Sequence, residues 1–173
     1  DIGEDIILSV LQEYRNVRPE CRIIHGFKYP YQSNRQKETY PGNIKKLGGA
    51  YQEITKETLE DEIDLVLITP YRIFAIEAKS RSGTWKIFDH WCSQNSVEVD
   101  KSPITQTEKH ARHLYHLIHE YIPDGRPEYI VPITVFVDKS RIVDSRCALM
   151  KAYVKVAITN TLKQLVRNND VPL

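Results

Sequence analysis

The chain has only three cysteines in 173 residues. Cys21, Cys92 and Cys147 are odd in number and far apart, and no Cys-x-x-Cys occurs, so neither a disulfide framework nor a zinc ribbon is expected. Reduced thiols in a cytoplasmic protein are the plain reading. No apolar run approaches the ~20 residues that a membrane-crossing helix needs. No signal peptide is visible, although the chain starts at Asp1 without Met, which is compatible with a removed leader or a preceding domain. Charge of one sign is missing too. Lys and Arg number 24, Asp and Glu 23, for a net charge of +1. That is not the strongly basic balance of a non-specific nucleic-acid coat. It is compatible with a protein whose acidic site offsets basic residues elsewhere. Internal repeats and low-complexity tracts are also absent. The 41% hydrophobic and 27% charged fractions are those of an ordinary globular chain. A domain of this size buries about 70% of the surface its unfolded chain exposes, so one domain over residues 1–173 is expected.

The pattern along the chain predicts helix, strands, helix, strand, strand, helix. Residues 2–15 read as a helix, with Ile6, Val10, Tyr14, Ile7, Leu11 and Leu8 on one apolar arc. Residues 21–29 read as a strand. Residues 30–50 are polar and hold Pro30, Pro41, Gly42, Gly48 and Gly49, which predicts a long loop or small insertion. That segment carries Arg35, Lys37, Lys45 and Lys46, so it is either a solvated loop or an arm that grips a nucleic-acid backbone. Strands follow at about 62–69, 72–79 and 83–89, then a helix from Pro103 to about 122. Residues 129–138 form another strand, in which Pro132 marks an edge, a start or a bulge. A short strand near 153–157 and a helix over 159–168 complete an α/β sandwich around a mixed sheet.

Within this pattern, residues 62–79 carry three charges that a core would not choose: Asp64, Glu77 and Lys79. Strand side chains alternate, so Glu77 and Lys79 project from one face while Phe74, Ile76 and Ala78 face the other. Two carboxylates are hard-oxygen ligands suited to Mg²⁺. A bound metal lowers the pKa of a water and offsets charge on a phosphate. Lys79 is placed to orient that water or to stabilise the transition state, and the Ala78 carbonyl is a further candidate ligand. The plain alternative is a strand with a salt bridge at its solvated end. Glu4 lies inside the apolar arc of the first helix and is either a third carboxylate aimed at the sheet or a capping-box partner of Asp1.

The helix after Pro103 carries Gln106, His110, His113, His116 and His119. Helical angles place His116 and His119 off the apolar face, in solvent. Gln106, His110 and His113 fall at its margin, within reach of the site or of a phosphate. No His-Glu-x-x-His occurs, so a zinc site is not expected. Arg81, Lys86, Lys45 and Lys46, with His110 and His113, are the candidates for nucleic-acid contact.

Several of these stretches together resemble the nuclease-related (NERD) domain family of the PD-(D/E)xK nuclease superfamily. They are Gly3-Glu4, Ile63-Asp64-Leu65-Val66, Phe74-Ala75-Ile76-Glu77-Ala78-Lys79, Gly83, Trp91 and Ser102-Pro103-Ile104-Thr105-Gln106. The resemblance implies a restriction-endonuclease-like core, a mixed central sheet flanked by helices. It implies Mg²⁺-dependent hydrolysis of DNA phosphodiesters, with Mn²⁺ as a substitute and RNA left open as a substrate. By position, Glu4 matches the family's N-terminal helix acid, Asp64 the first motif acid, Glu77 and Lys79 the second motif, and Gln106 the helix glutamine. Ile63 stands where the superfamily has proline. A binding module that keeps the fold without chemistry is the competing expectation, and oligomeric state is left open.

Overall fold

The computed structural model describes residues 1–39, 51–122 and 124–173, with only the backbone described for 33–39 and 51–57. These residues form two compact units, one of Asp1–Phe27 with Ile63–Leu173 and one of Lys28–Glu62. The larger unit holds four α-helices among the described residues: α1 (Ile2–Val17), α2 (Pro103–His119), α3 (Ala148–Tyr153) and α4 (Thr159–Asn169).

Strands β1 (Arg22–Thr39), β2 (Tyr51–Ile68), β3 (Ile73–Lys79), β7 (Ile130–Phe136) and β9 (Lys155–Ile158) form one sheet in the order β1-β2-β3-β7-β9. β2 runs antiparallel to β3, and β7 runs parallel to both β3 and β9. A second sheet takes β4 (Thr84–Ile87), β5 (Cys92–Gln94), β6 (Val97–Glu98) and β8 (Arg141–Asp144) in the order β6-β5-β4-β8. Two mixed sheets with flanking helices make the restriction-endonuclease-like α/β fold expected from the sequence.

Alternation decides which residues face which layer. Leu65 and Leu67 of β2, Phe74 and Ile76 of β3, and Val131, Ile133 and Val135 of β7 meet Ile7, Leu11, Leu162 and Val166 in one buried cluster. That face is covered by α1 and α4. At about 25 cal/mol per Å², each fully buried Leu or Ile contributes about 1.5–3 kcal/mol. The opposite face of β3 and β7 lies under α2. There the Thr107 and Thr134 hydroxyls sit 2.7 Å apart and fix the helix over β7. Beyond them Phe136 packs on Trp85 of the second sheet, ring centroids 5.0 Å apart. The start of α1 comes close to the loop after β3, since a Cβ on Gly3 would stand 2.9 Å from Ser80 Cβ. At its other end the Tyr14 hydroxyl donates to Asp170 Oδ2, and Arg18 Nη1 lies 3.3 Å from the same oxygen. Burial and that carboxylate push the Tyr14 hydroxyl well above its ordinary pKa.

Four expectations need correction. Residues 30–39 are strand, not loop, and β2 begins at Tyr51 rather than near 62. The smaller unit is thus built from the outer parts of β1 and β2, in which the Tyr29 hydroxyl donates to Asp61 Oδ2 over 3.4 Å. The 83–89 strand belongs to a separate sheet rather than to one mixed sheet. β5, β6, β8 and α3 lie where the sequence reading placed no element. Finally, β7 is an interior strand despite Pro132. The proline pairs with Ala75, and the β9 ladder starts only at Ile133, so the missing N–H costs no bond on that side.

Candidate functional site

The last paired rung between β2 and β3 is Leu65↔Ile76. Asp64 lies one residue beyond it on β2 and Glu77 one residue beyond it on β3. The Ala78 N–H, released from the β2 ladder, donates to Asp64 Oδ2 at 2.9 Å. This bond holds the Asp64 carboxylate across the end of β3.

Glu77 is 3% exposed and faces α2. Its Oε1 is 3.3 Å from Lys79 Nζ, two residues along the same face. Its Oε2 is 3.3 Å from His110 Nδ1, and His110 is itself only 1% exposed. Lys79 Nζ also donates to Gln106 Oε1 over 3.2 Å. Gln106 sits in the first turn of α2, behind the Ser102 cap and Pro103. His110 follows one turn later on the same side of the helix. α2 thus supplies both the partner of Lys79 and the partner of Glu77. Burying a carboxylate is costly without such pairing.

Asp64, half-buried beside this group, has its carboxyl pushed up to about 6. Burial is the largest cause and the neighbouring Glu77 charge the next. The Ala78 N–H and Lys79 pull the other way, and Glu4 adds a smaller upward push. An unfolded aspartate titrates near 3.8. The folded form therefore holds its proton more tightly. Stability from this group is fully present below the unfolded pKa and is lost as pH rises through about 6. Asp64→Asn is expected to stabilise the metal-free protein at neutral pH by about 1–2 kcal/mol, discounted for partial exposure. Urea melts should show the gain shrinking toward acid pH.

The sequence candidates separate into those brought together and those not. Asp64, Glu77, Ala78, Lys79 and Gln106 converge, and His110 joins them. Of the two reaches expected for His110, the site or a phosphate, the structure has it buried at the site, against Glu77. Glu4 Oε2 meets His25 Nε2 at 3.2 Å, while its charge still acts on Asp64. Asp1 caps the start of α1 as expected, accepting from the Gly3 N–H at 2.8 Å. Among the described residues no group of three or more His, Cys, Asp or Glu side chains is arranged to hold a metal. His113 is half-buried on α2, while His116 and His119 are exposed. Arg81 and Lys86 have exposed side chains. The Arg81 carbonyl accepts from Trp85 Nε1 over 3.2 Å. Lys45 and Lys46 lie outside the described residues. All three cysteines are free thiols.

Sequence reasoning missed His25 as the partner of Glu4, and no spacing signal links two residues on separate elements. It named His110 without its role. The usable signal there was the four-residue step from Gln106, which puts both on one helix face.

The fold and this cluster define a restriction-endonuclease-like α/β protein with acids and a lysine at the shared edge of two central strands. The family model of the nuclease-related domain matches residues 1–137, and the chain belongs to that family. It has no significant match among curated proteins or among solved structures. Among the described residues no helix is long and apolar enough to cross a membrane.

Proposed function

We propose that this protein is a metal-dependent nuclease that hydrolyses DNA phosphodiesters at the Asp64–Glu77–Lys79 cluster. The observation that carries the reading is the concentration of charge at one strand edge. A lysine stands against a buried glutamate, and beside them is an aspartate whose carboxyl is pushed up to about 6. Perturbed titration of this kind gathers at functional sites. The donor set suits a hard divalent cation, being carboxylate oxygen with no thiolate. Asp64 and Glu77 would hold Mg²⁺ or Mn²⁺, with the Ala78 carbonyl as a third candidate. Such an ion supplies a more acidic bound water and charge neutralisation at phosphate when present.

The chain's own groups do the rest. Lys79 holds a fixed positive charge at the strand end, where a phosphate oxygen gains negative charge. Gln106 accepts from its ammonium and so limits where that charge can swing. His110 closes the inner side of Glu77, leaving the carboxylate oriented toward the Lys79 side. Exposed Arg81 and Lys86 are candidates to meet the nucleic-acid backbone through charge alone.

The test is incubation of plasmid and linear DNA with the protein and Mg²⁺ or Mn²⁺, against an EDTA control. Metal-dependent cleavage is expected. Salt-sensitive binding that ignores EDTA, with no cleavage, would instead establish the module without chemistry.

A further inference from the structure

At the other end of β3 from the carboxylate cluster, a cleft of about 380 Å³ opens where β3, β7 and β9 begin. Its floor is apolar, made by Ile130, Val131, Pro132 and Ala152. Arg72 stands on its wall and is only 8% exposed. The one described hydrogen bond of its side chain runs from Nη1 to the carbonyl of its neighbour Tyr71, at 3.1 Å. No described carboxylate forms an ion pair with it. Glu128, the acid on the rim, lies 3.5 Å from Arg126 and is more than half exposed in its side chain, at 57%. Four of the five guanidinium N–H donors have no described protein acceptor, and since none of its nitrogens is both sealed from solvent and unpartnered, an arriving anion can take the place of water there. A second cation is near, since Lys155 lines the same cleft and its Nζ is pinned to the Ala152 carbonyl at 3.0 Å. Tyr153, 48% exposed, offers an aromatic ring at the mouth.

We propose that this cleft is a second binding site, for a small ligand that carries an anionic head on a flat apolar body. The head meets Arg72, with Lys155 in support, and the body lies on the apolar floor against Tyr153. The volume is in the range of small-molecule sites, which combine an apolar lining with a few convergent polar groups. Phosphate and carboxylate heads share the chemistry that Arg72 recognises, because both accept from the planar fork of a guanidinium. The proposal does not depend on the nuclease reading, since no residue is common to the two sites.

The experiment is a titration followed by methyl resonances in the metal-free protein, with phenyl phosphate, benzoate, inorganic phosphate and phenol as probes. Phenyl phosphate or benzoate is expected to shift Ile130, Val131 and Ala152 saturably, at least about tenfold more tightly than phenol. The methyls of Ile76 and Ala78, at the other end of β3, should stay unmoved. Whichever of the two anions binds more tightly identifies the head group. Inorganic phosphate should bind more weakly than phenyl phosphate, because it lacks the body. Arg72→Met should abolish the preference for anions over phenol. Lys155→Met, farther from the core, should weaken phenyl phosphate several-fold and guards against misfolding of the first variant. The proposal is overturned if neither anion shifts the cleft methyls at millimolar concentration, if phenol binds as well as the anions, or if Arg72→Met binds phenyl phosphate as the wild type does.

Discussion

Glu77→Gln is expected to lower metal-dependent DNA cleavage by at least about 10³-fold, the order lost when a main electrostatic stabiliser leaves a preorganised site. The substitution keeps the shape of the side chain and removes its charge. The amide oxygen can still face Lys79 Nζ and the amide nitrogen can face His110 Nδ1, so the two contacts now at 3.3 Å have replacements. Thermal melts should therefore show a folded protein, and circular dichroism an unchanged spectrum. Cleavage by a folded Glu77→Gln protein at wild-type rate would remove Glu77 from the chemistry. It would leave the fold and the family assignment standing, because neither rests on that carboxylate.

The second large effect concerns a residue behind the site. His110→Ala removes the group 3.3 Å from Glu77 Oε2, a buried oxygen that accepts no hydrogen bond among the described residues, and leaves it beside a void. Partners that orient a ligating carboxylate are worth about 10–100-fold in metal affinity. Calorimetric titration with Mn²⁺ should show that loss. His110→Gln, which refills the space and brings an amide toward Glu77, should recover part of it. The same truncation should also cost stability through the cavity it leaves under α2, so a folded fraction must be established by melting before affinities are compared. Equal Mn²⁺ affinity in the wild type and the alanine variant would show that His110 only fills space. Failure of the wild type itself to bind Mn²⁺ would instead count against the metal reading.

How far the site could be read from sequence depended on the range of the contact. Glu77, Lys79, Gln106 and His110 lie on two regular elements, and their spacing within each fixes which side chains share a face. Phe74 and Ile76 could be assigned inward by the same alternation. What joins the elements was not visible. Glu4 turns to His25 because β1 happens to pass there, and nothing local announces it. Residues 30–39 lack apolar alternation, and polar composition with Pro30 reads as loop even where the backbone is extended. Pro132 looked disqualifying for an interior strand until the register showed where β9 stops pairing. The second sheet escaped notice for a related reason. β5, β6 and β8 are two to four residues long, too short for any period to show.

The link between Tyr14 and Asp170 has a bearing on biosynthesis. Helix α1 emerges from the ribosome before the strands it covers, yet the helix that shares its core, and the carboxylate that anchors it, follow after all of those strands. Until then the nascent chain must carry the apolar faces of β2 and β3 with only α1 to cover them, a period in which a chaperone has something to hold and a neighbouring nascent chain has something to stick to.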